Sequence, residues 1–322
     1  MPHTEPEPLA IESYLSSSYG IPIDPGSFRL IRHGFNHTYA VESGGVSHAF
    51  RVYLRRKYYV ESPNDLRFEL EWLRFLRAEE LPVASPVART DGELLGTTSS
   101  FGEENDHCAL FTWAHGERHK ELSIDEAACL GETLARLHAV SDRFHSPHRR
   151  YHLDLKYLLN EPLRLIETYL QARNRPGLGD AGDRAREYGV IIERISRTPP
   201  YYGLIHGDFH NGNMYFECDG KPTFFDFDHS GYGWRVYDLA TADYRTSEEV
   251  RAALFGGYEA VRPLLPEEKA AIPAFQKLRP LWDIGDVLAT PEMWHQVEEP
   301  FENYVEYIEK VLSELDEKGP QE

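Results

Sequence analysis

The sequence has little cysteine, a shortage of positive charge and no long apolar run, and each shortage narrows what the chain can be. Its three cysteines, Cys108, Cys129 and Cys218, lie far apart with no C-x-x-C pair. Neither a disulfide framework nor a zinc site is indicated, and a reducing compartment fits. With 34 Lys and Arg against 53 Asp and Glu, the 322 residues carry a formal charge of -19, which argues against a nucleic-acid backbone or an anionic membrane as partner. No apolar stretch approaches the ~20 residues of a membrane span, and the start, MPHTEPEPLA, lacks the basic-then-apolar order of a secretory signal. A soluble, cytoplasmic protein is the expectation. The glycine patterns G-x-G-x-x-G and G-x-x-x-x-G-K-[ST] are also missing, so a P-loop is unsupported.

What is present is a 41 % hydrophobic composition, enough for a large core. Alternating runs predict strands over 28–31, 38–42 and 48–54, with Ser43-Gly44-Gly45 as a tight turn, and two more near 93–96 and 108–113. A short helix over 9–19 leads in, and residues 1–8 are expected to fray. Ser62, Pro63 and Asp65 start a helix whose stripe is Leu66, Leu70, Leu73 and Leu76. Ser123-Ile-Asp-Glu126 is a capping box ahead of Ala127, Leu130, Leu134 and Leu137. Further helices are expected over 155–172, 183–196, 248–264, 267–287 and 298–315. From Asp283 onward twelve acidic residues stand against Lys310 and Lys318, a pattern that usually marks a solvated face.

The densest chemistry lies in residues 201–240, YYGLIHGDFHNGNMYFECDGKPTFFDFDHSGYGWRVYDLA. An apolar run delivers His206-Gly207-Asp208, and Asn213 follows five positions after the aspartate. Two β-prone runs, 214–218 and 223–227, flank the turn residues Asp219-Gly220-Lys221-Pro222 and predict a hairpin. The second run ends in Asp226-Phe227-Asp228, which returns a carboxylate to the loop holding Asp208 and Asn213. This suits phosphoryl transfer: one carboxylate to receive or orient an acceptor hydroxyl, and an amide and a second carboxylate to hold Mg²⁺, which prefers oxygen ligands. The order H-G-D-x-x-x-x-N then D-F-D parallels the protein-kinase H-R-D-x-x-x-x-N then D-F-G. On these motifs the chain resembles the superfamily of aminoglycoside phosphotransferases, choline kinases and protein-kinase-like homoserine kinases.

That resemblance implies an α+β, two-lobed protein-kinase-like fold. A mainly antiparallel β small lobe, residues 1–111, would bind the nucleotide, and a mostly helical lobe, residues 112–322, would carry catalysis and acceptor binding. It implies ATP and Mg²⁺ as cofactors, Asp208 as the catalytic base or orienting carboxylate, and Asn213 and Asp226 as metal ligands. Asp228 replaces the D-F-G glycine, and a supporting role or a second metal are both open. The loop 33–37, with Gly34 and Asn36, would cover the phosphates through backbone N–H groups; taken alone it is as well an ordinary turn. Arg51 stands where kinases place a lysine, with Glu69 as its ion-pair partner and Arg55, Arg56 and Lys57 as substitutes. Phe111, Trp113 and their neighbours to Ala114 would pass adenine with their backbone. His206 and Asp238 read as braces of the catalytic loop and His138 as a buried structural histidine. Residues 231–235 could border the acceptor.

The implied acceptor is a small-molecule hydroxyl, on an aminoglycoside or another amino alcohol of homoserine or choline type. Arg279, Trp282, Asp283 and Asp286 would suit an amine through charge and cation–π attraction, although a core Trp with solvated carboxylates is the simpler reading. Three rivals stand beside this one. A protein Ser/Thr kinase shares the motifs. A metal-dependent hydrolase would use His206, Asp208, His210, Asp226, Asp228 and His229, leaving Asn213, the hairpin and the Arg51/Glu69 pair without a role. An inactive nucleotide binder would have no need of Asp208, Asn213 and Asp226 together.

Overall fold

The structure, a computed structural model, describes residues 8–34, 36–53, 57–98, 106–242, 247–290 and 304–316. Residues 1–7 of the start expected to fray, Phe35, Leu54, Arg55, Arg56 and the first turn expected of the last helix, 298–303, lie outside the described residues. The chain divides into two compact units: residues 1–115 with 144–150 and 223–225, and residues 116–143, 151–222 and 226–322.

The first unit contains α1 (Pro8–Tyr19), β1 (Arg29–Arg32), β2 (Asn36–Ser43), β3 (Val46–Tyr53), α2 (Pro63–Ala78), β4 (Gly96–Thr98) and β5 (Asp106–Thr112). Its strands form one sheet in the order β1-β2-β3-β5-β4, every pairing antiparallel. The two periodicities meet in its core. Tyr39 and Val41, Phe50 and Val52, and Cys108 and Leu110 alternate along their strands and cluster with Ile11, Leu15 and Tyr19, spaced by four on α1. Gly44 and Gly45 both adopt positive φ, as a two-residue hairpin turn between twisted strands requires. β2 begins two residues earlier than the alternation indicates, because Asn36 and His37 pair with Tyr53 and Val52. The expected strand at 93–96 starts only at Gly96, since the Arg89 N–H donates to Glu93 O and closes a turn first. Ser62 and Asp65 cap α2 reciprocally, an arrangement of about 1 kcal/mol, and Leu66, Leu70, Leu73 and Leu76 are all buried.

The second unit contains α3 (Ile124–Ser141), β6 (His152–Leu153), a π-helical turn (Lys156–Asn160), α4 (Glu161–Gln171), α5 (Gly179–Ile192), β7 (Tyr202–Ile205), a 3₁₀ turn (Asn211–Asn213), β8 (Met214–Phe216), a second 3₁₀ turn (Phe227–His229), β10 (Gly231–Trp234), α6 (Arg235–Thr241), α7 (Glu248–Val261), α8 (Pro266–Ala289) and α9 (Tyr304–Asp316), while β9 (Pro222–Phe224) starts at its edge and continues among the residues of the first. The expected single helix over 155–172 is a π turn running into α4, where Pro162 offers no N–H to continue the ladder. α5 starts and ends four residues earlier than expected. Gly179 and Gly182 are poor helix formers, but burial of Ala181, Ala185, Tyr188 and Ile192 on one face overrides propensity. Pro263 follows the early end of α7. Glu126 and Ser123 form the expected capping box on α3. Among the described residues no helix is long and apolar enough to cross a membrane.

Candidate active site

A small sheet in the second unit builds the site. β10 pairs antiparallel with β7, Ile205 opposite Gly231, and parallel with β6. All four residues of β7 are buried. This register sets the loop leaving β7, residues 206–208, beside the segment 226–230 that enters β10. Gly207 lies at the touching point: its φ is +79°, and a Cβ there would drive into the His229 carbonyl. Only glycine fits between His206 and Asp208 in this loop.

Asp238, fully buried in the first turn of α6, holds the loop from below. Its carboxylate accepts the backbone N–H of His206 at 2.7 Å and of Gly207 at 2.9 Å, and His138 Nε2 stands 3.2 Å from Oδ2. His138 Nδ1 in turn lies 2.8 Å from the Tyr258 hydroxyl. Burial pushes His138 down to about 4, outweighing the upward pull of Asp238, so a neutral imidazole accepts from Tyr258 and donates to Asp238. His206 Nδ1 accepts the Asp208 N–H at 3.3 Å, and its ring lies 4.3 Å from that of Phe227. The bracing expected of His206 and Asp238 is therefore present, and His138, expected as a buried structural histidine, is buried behind Asp238.

Asp208 is only 7 % exposed. Arg279 Nη2, from α8, sits 2.5 Å from its Oδ1. Asn213 Nδ2 donates at 2.8 Å to its Oδ2 and at 2.9 Å to its backbone carbonyl. His210 Nε2 and His229 Nδ1 approach Oδ2 at 3.4 and 3.7 Å. Burial acts to raise the Asp208 carboxyl, but the Arg279 guanidinium with His210 and His229 holds it well below the usual carboxylate range. His229 also stands 3.6 Å from Asp286. Burial acts to lower His229, yet Asp228, Asp286 and Asp208 together hold it up at about 9.

Asp226 opens the segment after β9 in a left-handed conformation, φ 65° and ψ 56°. That conformation disfavours a non-glycine residue by about 1–2 kcal/mol, and strain of this kind persists where the surroundings impose it. It also ends the expected strand early, at Phe224 rather than Phe227. The hairpin is formed, its turn closed by hydrogen bonds from Gly220 N–H to Glu217 O and from Glu217 N–H to Lys221 O.

In the first unit, Arg51 on β3 places Nη1 3.5 Å from Glu69 Oε1 on α2. The guanidinium lies 5.2 Å from the Phe111 ring centroid. Arg150 Nη2 stands 3.6 Å from Glu69 Oε2, and its Nη1 donates to Asp65 O at 2.9 Å. Glu69 is thus buried between two arginines, one of them the Arg51 partner that the resemblance implies. Gly34 lies in a bend before β2, Asn36 is inside β2 rather than in a loop, Phe111 is buried in β5, and Trp113 is half-buried just beyond it.

Two contacts escaped the sequence reading, Arg279 to Asp208 and Arg150 to Glu69. The first had a signal, because residues 279, 282, 283 and 286 share one helical face and Arg279 is a lone cation among acids there. The amine reading meets an obstacle, since Arg279 Nε already donates to Asp283 at 2.9 Å. Among the described residues no three or more His, Cys, Asp or Glu side chains are arranged to hold a metal. The hydrolase cluster is therefore not assembled: His206 and His210 turn their Nδ1 atoms to backbone N–H groups. An ion held by an amide, a carboxylate and phosphate oxygens is a different requirement, and Asn213 fits it. Its Oδ1 is buried without a hydrogen-bond partner, an arrangement that leaves an amide oxygen ready for a hard cation.

Fold and site together define a phosphotransferase of kinase type. The model of the phosphotransferase enzyme family matches residues 27–272, and the chain belongs to that family. A homoserine kinase of Phenylobacterium zucineum is 30 % identical over 260 residues, covering 77 % of this chain and 75 % of that protein. An uncharacterized protein of Deinococcus radiodurans is 33 % identical over 298 residues, 88 % and 82 % of the two chains. Among solved structures, a microcompartment-associated aminopropanol kinase superposes with TM-score 0.71 at 27 % identity, over 96 % of this chain and 94 % of that one. The amicoumacin kinase hAmiN, in complex with AMP-PNP, Ca²⁺ and Ami, gives TM-score 0.77 at 20 % identity, over 98 % and 94 %. The α+β, protein-kinase-like fold expected from the motifs is the fold observed.

Proposed function

We propose that the chain is an ATP- and Mg²⁺-dependent kinase that transfers the γ-phosphoryl group to a hydroxyl of a small amino alcohol. The observation that carries this reading is the Asn213 amide: its nitrogen is committed to Asp208 and its buried oxygen is left without a hydrogen bond. Asn213 and Asp226 would hold Mg²⁺, which when bound offsets the charge of the nucleotide phosphates. Arg51, kept in place by Glu69, would meet the α- and β-phosphates, with backbone donors near Gly34, in the bend before β2, as further contacts. The chain from Phe111 to Trp113 would pass adenine. An amine-bearing acceptor is supported by the relatives, which include a homoserine kinase and an aminopropanol kinase, and by the charge of -19.

In this reading Asp208 is ionised throughout the neutral range and orients the acceptor oxygen for in-line attack. Rate acceleration comes mainly from positioning and electrostatics, since little covalent chemistry falls to the protein. A screen of the purified protein with Mg-ATP tests the proposal, reading ADP release and the ³¹P spectrum of the product. Aminopropanol, homoserine, choline, aminoglycosides, sugars and a generic protein serve as acceptors. Transfer to an amine-bearing alcohol is expected. Transfer only to protein Ser or Thr, or zinc-dependent hydrolysis without ATP, would replace the proposal with one of its rivals. Asp208→Asn should abolish turnover and leave AMP-PNP binding intact.

A further inference from the structure

The least expected contact in the second unit is the one between α8 and the catalytic loop. Residues 279, 282, 283 and 286 of α8 lie at spacings that put them on one helical face, and that face is turned to Asp208 and His229. Arg279 spends nearly its whole guanidinium there. Nη2 meets Asp208 Oδ1 at 2.5 Å, Nη1 lies 3.4 Å from Gly207 O and 3.3 Å from the Tyr237 hydroxyl, and Nε meets Asp283 Oδ1 at 2.9 Å. One rigid planar group therefore holds the carboxylate and the backbone carbonyl just before it at once. A carboxylate tied in this way to its own backbone cannot turn about its last bond without breaking a contact. Asn213 grips the other oxygen at 2.8 Å, with His210 and His229 further off at 3.4 and 3.7 Å, so Oδ1, met by Arg279, is the oxygen that keeps a second lone pair for an incoming hydroxyl.

We propose that Arg279, steadied from behind by Asp283, is a positioning residue that fixes the Asp208 carboxylate for the acceptor hydroxyl. The proposal takes what Asp208 does from the phosphotransfer reading, while where Asp208 is held stands independently of it. Several features favour positioning over a generic ion pair. The Arg279 side chain is 18 % exposed and that of Asp208 10 %, so solvent screens the pair little. A lysine could supply the charge but not the fork that reaches Asp208, Gly207 and Asp283 together. Asp283, at i+4 and 44 % exposed, adds little as a surface pair; its use is to aim the guanidinium.

The test compares Arg279→Met, Arg279→Lys and Asp283→Asn with the wild type in kcat, in KM for aminopropanol and in AMP-PNP affinity. Alongside, NMR follows the Arg279 Nη–H resonances in the wild type and in Asp208→Asn. Arg279→Met should stay folded, bind AMP-PNP within about twofold of wild type, and lose about 100-fold in kcat, the scale expected when a reacting group is misplaced by ~1 Å. Arg279→Lys should regain roughly tenfold of that loss, and Asp283→Asn should lose roughly threefold to tenfold. The Nη–H signals should exchange slowly in the wild type and rapidly in Asp208→Asn. An Arg279→Met enzyme as fast as wild type, or faster, overturns the proposal, as does a parallel loss of AMP-PNP binding or a resonance indifferent to Asp208. A wild type inactive on every acceptor, with the resonance still dependent on Asp208, sinks the phosphotransfer reading and leaves the clamp standing.

Discussion

Replacing Asp238 by alanine removes the acceptor for two buried backbone N–H groups, those of His206 and Gly207 at 2.7 and 2.9 Å, and strands the Nε2 proton of His138. Leaving a buried donor without a partner costs about 1–3 kcal/mol, so the two backbone groups alone give roughly 2–6 kcal/mol. A water molecule entering the space left by the carboxylate would recover part of this, which makes ~2 kcal/mol the floor. For a unit of this size each kcal/mol lowers Tm by roughly 2–4 °C. Thermal unfolding of Asp238→Ala, followed by calorimetry, should therefore fall by at least ~4 °C and by as much as ~24 °C. Asp238→Asn keeps one acceptor oxygen and should land between the variant and the wild type. Because the same carboxylate fixes the backbone that carries Asp208, turnover should drop in both. A Tm within ~1 °C of wild type for Asp238→Ala would refute the account of how the loop is held.

Two further outcomes are expected. Glu69→Gln leaves Arg51 and Arg150 buried without their shared carboxylate; breaking a buried pair costs about 3–5 kcal/mol, and both a lower Tm and a raised KM for ATP should be measured. The pH dependence of stability should have two limbs. His138 titrates at about 4 in the folded chain, below its unfolded value of about 6.5, so its contribution is full above that value and is lost as pH falls toward 4. His229 is held up at about 9, so its contribution is full below ~6.5 and is lost as pH rises through 9. Urea titrations between pH 4 and 10 read both limbs, and a flat acid limb in His138→Gln confirms the first assignment.

The parts of the site that lie close in sequence were legible there. His206, Asp208 and Asn213 sit within one loop, the turn at Asp219 and Gly220 announces the hairpin, and the caps at Ser62 and Ser123 write helix starts into four residues each. Glu69 was legible as a partner of Arg51 only through resemblance. What stayed hidden involves partners distant in the chain: Arg279 and Asp208 are 71 positions apart and Arg150 and Asp65 are 85. No local pattern encodes such a pairing, and an arginine bound for the interior reads the same as one bound for solvent. The misplaced ends have local causes instead. β9 stops because Asp226 turns left-handed, and α5 begins among glycines because its buried face outweighs their low propensity.

The pairing of β7 with β10 also has a use for anyone who wishes to build on this enzyme. Ile205 opposite Gly231 fixes the separation of Asp208 from the segment after Asp226, whatever the length of chain that loops out between them. The tip of the β8–β9 hairpin, with Glu217, Cys218, Asp219 and Lys221 exposed, is part of that loop-out. A fluorescent label at the exposed Cys218 thiol, or a short peptide inserted at Gly220, would extend outward from the hairpin while the strand register goes on setting the spacing of the carboxylates. The tip is thus the natural attachment point for a reporter or a surface tether on this chain.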